Sequence, residues 1–438
     1  MSRHLRLRPL SLLATAAAVG AAILAPATAT AQSGPVQSAP AQSGATQPAA
    51  APAGAAQEAP APPTVRFASF NASLNRSTEG ELVTDLSTPD DIQAANIAEI
   101  IQRTRPDVLL INEFDYDAAG TALALFQDNY LSVAHNGAPP IRYAYRFAAP
   151  SNTGIPSGFD LNNDGTIGGP EDALGFGFFP GQFGMAVYSR VPIDTGAART
   201  FQTFLWKDKP GALLPDDPST PAPADYYSPE ELNIFRLSSK SHWDLPLQIG
   251  PRTVHFLVSH PTPPVFDGPE DRNGRRNFDE IGFWSDYLSP ARSGYIYDDN
   301  GRRGGLRPGE LFVIAGDQNA DPLDGDSIPG ASQQLLDNRR VNDFRAPESR
   351  GAVEAARVQG GANDTQRSPA RTDTADFSDT APGNLRTDYL LPAAGINIVD
   401  SQTFWPTSGS PLHRLTGDGV TFPLPSSDHR LIWADLRL

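Results

Sequence analysis

Six widely spaced apolar runs each end on, or begin from, a residue able to bind a cation or move a proton. Asn71 follows Val65–Phe70, Glu113 follows Val108–Ile111, His260 closes Phe256–Ser259, and Asp317 and Asn319 follow Leu311–Ala315. Asp388 precedes Tyr389-Leu390-Leu391, and Ser427-Asp428-His429 precedes the last run. Carboxylates and side-chain amides are hard oxygen ligands, and imidazole titrates near neutral pH. The chain has no Cys, so any metal is held by oxygen or imidazole. That excludes a thiolate zinc site, an iron–sulfur cluster, a disulfide scaffold and a cysteine nucleophile.

A second constellation is local. Asp160-Leu-Asn162-Asn-Asp164-Gly165-Thr166-Ile167-Gly-Gly-Pro-Glu171 reproduces the spacing of an EF-hand loop. Side-chain oxygens alternate over its first five residues, Gly165 makes the sharp turn, Thr166 offers a backbone carbonyl and Glu171 closes the far side. Gly154, Pro156 and Gly158 before it and Pro170, Gly175 and Gly177 after it make poor helices. The expectation is a structural Ca²⁺ clip inside an insertion, Thr153–Pro180, with a metal-free Asx-rich turn as the alternative.

The elements that must position these residues are mainly strands: Val65–Phe70, Asp107–Ile111, Gly184–Tyr188, Phe235–His242, Thr253–His260, Leu311–Gly316, Asp388–Leu391 and Arg430–Leu436. The clearest helix is Thr88–Thr104, capped by Thr88-Pro89-Asp90-Asp91 and striped by Ile92, Ala95, Ile97, Ile100 and Ile101. A second is expected over Phe278–Leu288. Such a mixture predicts stacked mixed sheets with helices outside, and strand ends that open onto one crevice where the six polar sites meet. Residues Arg345–Arg386 lack periodicity and read as a low-order insertion. Lys240, His242 and Asp244 alternate and share one strand face, turned either to the pocket or to solvent.

Residues 1–31 combine Arg3, Arg6 and Arg8, an apolar run from Leu10 to Ala25 and the small residues Ala29-Thr30-Ala31, the layout of a secretory signal peptide. Residues 32–63 are almost wholly Ala, Pro, Gln, Ser, Gly and Thr and read as a disordered linker. No other stretch is long and apolar enough to span a bilayer, so a secreted, unanchored protein is expected. Removing the leader takes three from 34 basic residues against 50 acidic ones and moves the net charge from −16 to −19. Such a surface disfavours broad binding to nucleic acid or an acidic membrane.

Taken in order, Ser-Phe-Asn71, Asn-Glu113, Ser-His260, Gly-Asp317-Gln-Asn319, Thr-Asp388-Tyr-Leu-Leu and Ser-Asp428-His429 resemble the motifs of the endonuclease/exonuclease/phosphatase superfamily. That group includes DNase I-like nucleases, inositol polyphosphate phosphatases and bacterial sphingomyelinases. The resemblance spans Val65–Leu438 and implies an α+β fold, a four-layer α/β/β/α sandwich of two stacked mixed sheets. It implies a phosphoesterase in which Glu113, Asn71 and Asp428 hold Mg²⁺ or Mn²⁺. His429, oriented by Asp388, handles the attacking water; Asp317 and Asn319 position the water and the scissile phosphate, and His260 donates to the phosphoryl group.

The expected partner is a phosphate ester: nucleic acid, a phospholipid head group or a small organophosphate. A monomer is expected. Asn112 stands where the family usually has Gln, and Pro261 follows His260 where an apolar residue is usual, which suggests a different substrate. Asp321, Asp324 and Asp326 read as a solvated turn or a second cation site. Arg272, Arg275, Arg276, Arg302, Arg303 and Arg307 are candidate phosphate clamps, and Tyr295-Ile296-Tyr297 a lipid contact or a strand end. The alternative is a non-catalytic, secreted, calcium-stabilised binding module on the same fold.

Overall fold

The computed structural model describes residues 64–221 and 223–438. The expected leader and linker lie outside them. Two mixed sheets form the centre. The first contains β1 (Thr64–Leu74), β2 (Val108–Phe114), β3 (Tyr145–Phe147), β4 (Met185–Ser189), β10 (Asn397–Thr403) and β11 (Ile432–Arg437), in the order β10-β11-β1-β2-β4-β3. The second contains β5 (Arg199–Thr200), β6 (His242–Ile249), β7 (Arg252–Ser259), β8 (Leu311–Asp317) and β9 (Asp388–Pro392), in the order β5-β6-β7-β8-β9. In each sheet one central pair is parallel, β1 with β2 and β7 with β8, and the other pairs are antiparallel.

Period-two alternation sorts the strands of the first sheet into two cores. Phe67, Leu110, Val187 and Ala434 face the second sheet, while Ala68, Phe70, Leu109, Ile111 and Tyr188 face outward beneath helices. Phe67 meets Phe256 of β7 with ring centroids 5.5 Å apart, which fixes the inner face of each sheet. Covering the first sheet are α1 (Glu81–Leu86), α2 (Ile92–Thr104) and α3 (Thr121–Leu125). The short α4 (Pro229–Leu232) and α6 (Gln333–Leu336) join α5 (Arg272–Tyr287), which covers the second, and α7 (Arg350–Gln359) lies in the late insertion. Among the described residues no helix is long and apolar enough to cross a membrane.

Four expectations change. The strand placed over Phe235–His242 instead occupies His242–Ile249; Pro246 is tolerated there because it lies past the two residues that pair with β5. The helix at Phe278 begins at Arg272, its first turns masked by polar residues that are in fact buried. Arg276 donates to the carbonyls of Leu174, Arg236, Leu237 and Ser238, and Asn277 to those of Thr262 and Gln318. The α2 cap is Asp91, whose carboxylate accepts from the Ala94 amide at 2.7 Å, but Ile92 is 77 % exposed and stands off the stripe. Finally, 345–386 is not low in order: it holds α7 and two 3-10 turns, and Ala375 bridges to His429.

Candidate functional site

The registers explain why residues far apart in the chain meet. Asn71 pairs with Asn112 at the carboxyl ends of parallel β1 and β2. Asp317, ending β8, pairs with Asp388, which opens antiparallel β9. Since β11 runs against β1, residues 427–429 just before it return to the same edge. Asn112 joins the two sheets, accepting from the Asp317 amide at 3.1 Å and donating to the Ser259 carbonyl at 3.4 Å. The approach of β7 to β8 needs Gly316: its φ is 140°, and a Cβ there would lie 2.0 Å from the Ser259 carbonyl oxygen.

Around this edge Asn71 ties two carboxylates together, its Nδ2 donating to Glu113 Oε1 and to Asp317 Oδ2, both at 3.1 Å. Asn75 Nδ2 donates to Glu113 Oε2 at 2.8 Å. Strand alternation alone would point Glu113 away from the inner face, but a left-handed backbone (φ 57°) redirects it. That conformation costs of order 1–3 kcal/mol at a non-glycine residue and marks a constrained position. Burial, then the charge of Asp428, push the Glu113 carboxyl above its usual range. Glu113 and Asp428, two carboxylates beside the Asn71 amide, are hard oxygen donors of the kind a divalent cation fits.

His429 lies between two carboxylates. Its Nδ1 is 2.9 Å from Asp388 Oδ2 and its Nε2 3.6 Å from Asp317 Oδ2, while His260 Nε2 is 3.5 Å from the same Asp317 oxygen. Burial opposes the charged imidazole, but Asp388 and Asp317 outweigh it and raise the His429 pKa well above its ordinary value. His260 is the opposite case: burial and then Lys240 bring it down to about 4, so it is neutral. Asp317, Asp388 and His429 each place a donor atom within 4.8 Å of the others, the only such trio of His, Asp or Glu among the described residues. Asn319, with φ 52°, donates its amide to Asp317 Oδ1 at 2.9 Å and its Nδ2 to the Pro261 carbonyl.

Several supports escape sequence reasoning. Thr374, from the late insertion, donates to Asp388 Oδ2 at 2.9 Å, and the Arg430 amide donates to the Thr374 carbonyl. Ser427 donates to the Asn71 carbonyl and accepts from the His429 amide. Asp321 is no solvated turn: buried, it accepts from the Leu323, Asp324 and Arg386 amides and anchors the insertion, while Asp324 binds Arg367 and Ser368 amides. The Lys240–His242–Asp244 face turns neither to solvent nor to a shared pocket. His242 sits against Phe283 and Trp284 of α5, bonded to Ser238 and the Glu280 carbonyl, and Asp244 accepts from Tyr287. Only Lys240, just before β6, lines the site cavity. Tyr295 and Tyr297 give their hydroxyls to Asp286 and Asp208, and Ile296 is buried, so this stretch offers no lipid contact. Arg276 spends its donors on carbonyls, and Arg302 and Arg307 line a different cavity.

In the 160–171 loop Asp160 accepts from the Asp164 and Gly165 amides at 3.0 and 2.8 Å, and Asp164 from the Thr166 amide at 2.8 Å. The first half is therefore wound as the spacing requires, with Gly165 at φ 87°. Glu171 turns away to Arg272, 3.5 Å off, and the loop is closed by Asp172, which accepts from Leu161 and Gly168.

A family model described as "Endonuclease/Exonuclease/phosphatase family" matches residues 68–429. No curated protein sequence matches the chain. Solved structures similar to it include an endonuclease/exonuclease/phosphatase from Beutenbergia cavernae, at 15 % identity over 86 % of this chain and 72 % of that one, TM-score 0.45. Another is a family protein from Leptotrichia buccalis, at 13 % identity over 85 % and 100 %, TM-score 0.41. A third is sphingomyelinase C from Streptomyces griseocarneus, at 13 % identity over 85 % and 99 %, TM-score 0.42.

Proposed function

Because the chain belongs to the endonuclease/exonuclease/phosphatase family, whose members are mostly hydrolases of phosphate esters, we propose that it is a secreted, divalent-metal-dependent phosphoesterase acting by in-line attack of water. One observation carries the reading: six strand termini bring Asn71, Glu113, His260, Asp317, Asp388 and His429 to one edge, linked by contacts of 2.9–3.6 Å. Glu113, Asn71 and Asp428 would hold Mg²⁺ or Mn²⁺, which supplies positive charge to the phosphoryl oxygens. His429 has Nδ1 committed to Asp388, so Nε2 is the nitrogen that holds or moves a proton at the water and the phosphoryl group. Asp317 and Asn319 orient the water and the scissile phosphate, and neutral His260 donates a hydrogen bond to it.

Residues 1–31 serve as the export signal in this reading and 32–63 as a spacer. The 160–171 loop would hold Ca²⁺ through Asp160, Asn162, Asp164, the Thr166 carbonyl and Glu171, with Glu171 leaving Arg272 to do so. The test is a panel of an activated diester, a phosphomonoester and plasmid DNA, each with Mg²⁺ or with chelator. Metal-dependent turnover of at least one, lost in His429→Ala, is expected. Turnover of none would leave a non-catalytic binding module as the better reading, and turnover indifferent to His429 would remove His429 from the mechanism.

A further inference from the structure

A cavity of about 420 Å³ opens beside this site, lined by both charged and aromatic side chains. Glu113, His260 and Lys240 line it from the site, and Glu171, Arg272 and Arg276 are its other charged residues. Phe176, Phe235 and Phe266 are among the residues that wall the rest. Lys240 is only 7 % exposed and its ammonium makes no direct ion pair or hydrogen bond among the described residues, although the charges of Glu280, Glu113 and Asp317 act on it from further off. A buried ammonium without an acceptor is costly unless an anion completes it.

At the mouth the apolar side chains face water. Phe266 is 80 % exposed, and Phe176, 44 % exposed, stacks edge-on to Phe178 at 5.7 Å. Such a rim, continuous with a largely apolar cavity of ligand-pocket size, marks a recognition surface. It does not resemble a track for a polyanion, which requires cations spaced along an open groove. Of the two arginines that line it, Arg276 gives its Nε and one terminal nitrogen to four carbonyls and Arg272 is paired with Glu270.

Resting on the phosphoesterase reading, we infer that the cavity seats an apolar ester group of the substrate, an aryl ring or a hydrocarbon chain, while Lys240 faces the phosphoryl anion. The substrate class is then an organophosphate with an apolar substituent, not a nucleic-acid strand. Phe176 and Phe266 set the specificity without touching the reacting atoms.

Isothermal titration with methyl, butyl, octyl and phenyl phosphate in Mg²⁺ tests this by binding alone. Each methylene that enters the cavity should tighten binding by about threefold to fourfold until the cavity is full. The double variant Phe176→Ala/Phe266→Ala should cut the octyl-to-methyl ratio by at least about fivefold. A steep response to octyl points to a chain, and a preference for phenyl to a ring; both support the subsite. Equal affinity for all four esters, or a preference unchanged in the double variant, overturns it. So does tighter binding of a single-stranded oligonucleotide than of octyl phosphate. A flat response together with metal-dependent turnover sinks the subsite alone, whereas chain-length selectivity without turnover of any ester sinks the phosphoesterase reading.

Discussion

Glu113 shows how much a single residue's setting can differ from its sequence context. Its position after an apolar run identifies it as a strand-end acid, but its direction depends on a positive φ that no periodicity announces. Two amides from Asn71 and Asn75 then hold its oxygens at 3.1 and 2.8 Å. Removing such a group leaves those donors unsatisfied and, in the proposed mechanism, the cation without a ligand. Glu113→Ala and Asp317→Ala are each expected to lower kcat by about two orders of magnitude or more with the fold retained, as loss of a ligand or positioned group does. Steady-state kinetics beside circular dichroism checks this; a change below about tenfold in either would remove that residue from the chemistry. The acid, amide and imidazole identities were legible in the chain because they border strands. Thr374 was not, since a lone Thr carries no pattern, and Lys240 was flagged only within the Lys240–His242–Asp244 alternation, which did not decide which of the three reaches the cavity.

Elements were legible where one face alone is buried and obscure where polar residues go inside. The α2 helix follows from its Ile spacing and its Asp cap. The start of α5 was hidden because Arg276 and Asn277 look like a solvated face yet reach carbonyls in the interior. The 160–171 loop is the reverse, a local pattern whose spacing carries its own geometry. Its winding already places Asp160 over two backbone amides. With Ca²⁺ at about 100 times its dissociation constant the melting temperature should rise by roughly 3 °C over chelator. Asp160→Ala should abolish that difference in a thermal melt. A rise that persists in the variant places the calcium elsewhere.

At the scale of the whole molecule, the stacking of sheet on sheet and sheet on helix puts two imidazoles where they cannot charge. His242 is brought down to about 4 by burial beneath α5, and His260 to about 4 by burial and Lys240. A histidine whose folded pKa is depressed stabilises the fold fully above its unfolded value of about 6.5, and the contribution is lost as the pH falls toward 4. By pH 5 the unfolded chain has gained a proton that the folded one refuses, costing about 2 kcal/mol for each such group. In urea unfolding, the drop in stability between pH 7.5 and pH 5 should therefore shrink by about 2 kcal/mol in His242→Gln. An unchanged drop would mean that His242 is charged in the folded protein.

The amino-acid order by itself determined the polar residue types, their attachment to strand ends, the two-sheet α+β class and the turn chemistry of the 160–171 loop. Each of these follows from short-range periodicity, from residue chemistry or from the family motifs those residues form. Tertiary structure alone decided that Thr374 buttresses Asp388, that Asn112 clasps the second sheet, that the His242 face lies under a helix and that Lys240 ends in an aromatic cavity. Those partners come from different layers, and nothing in a strand's own alternation specifies which layer will be packed against it.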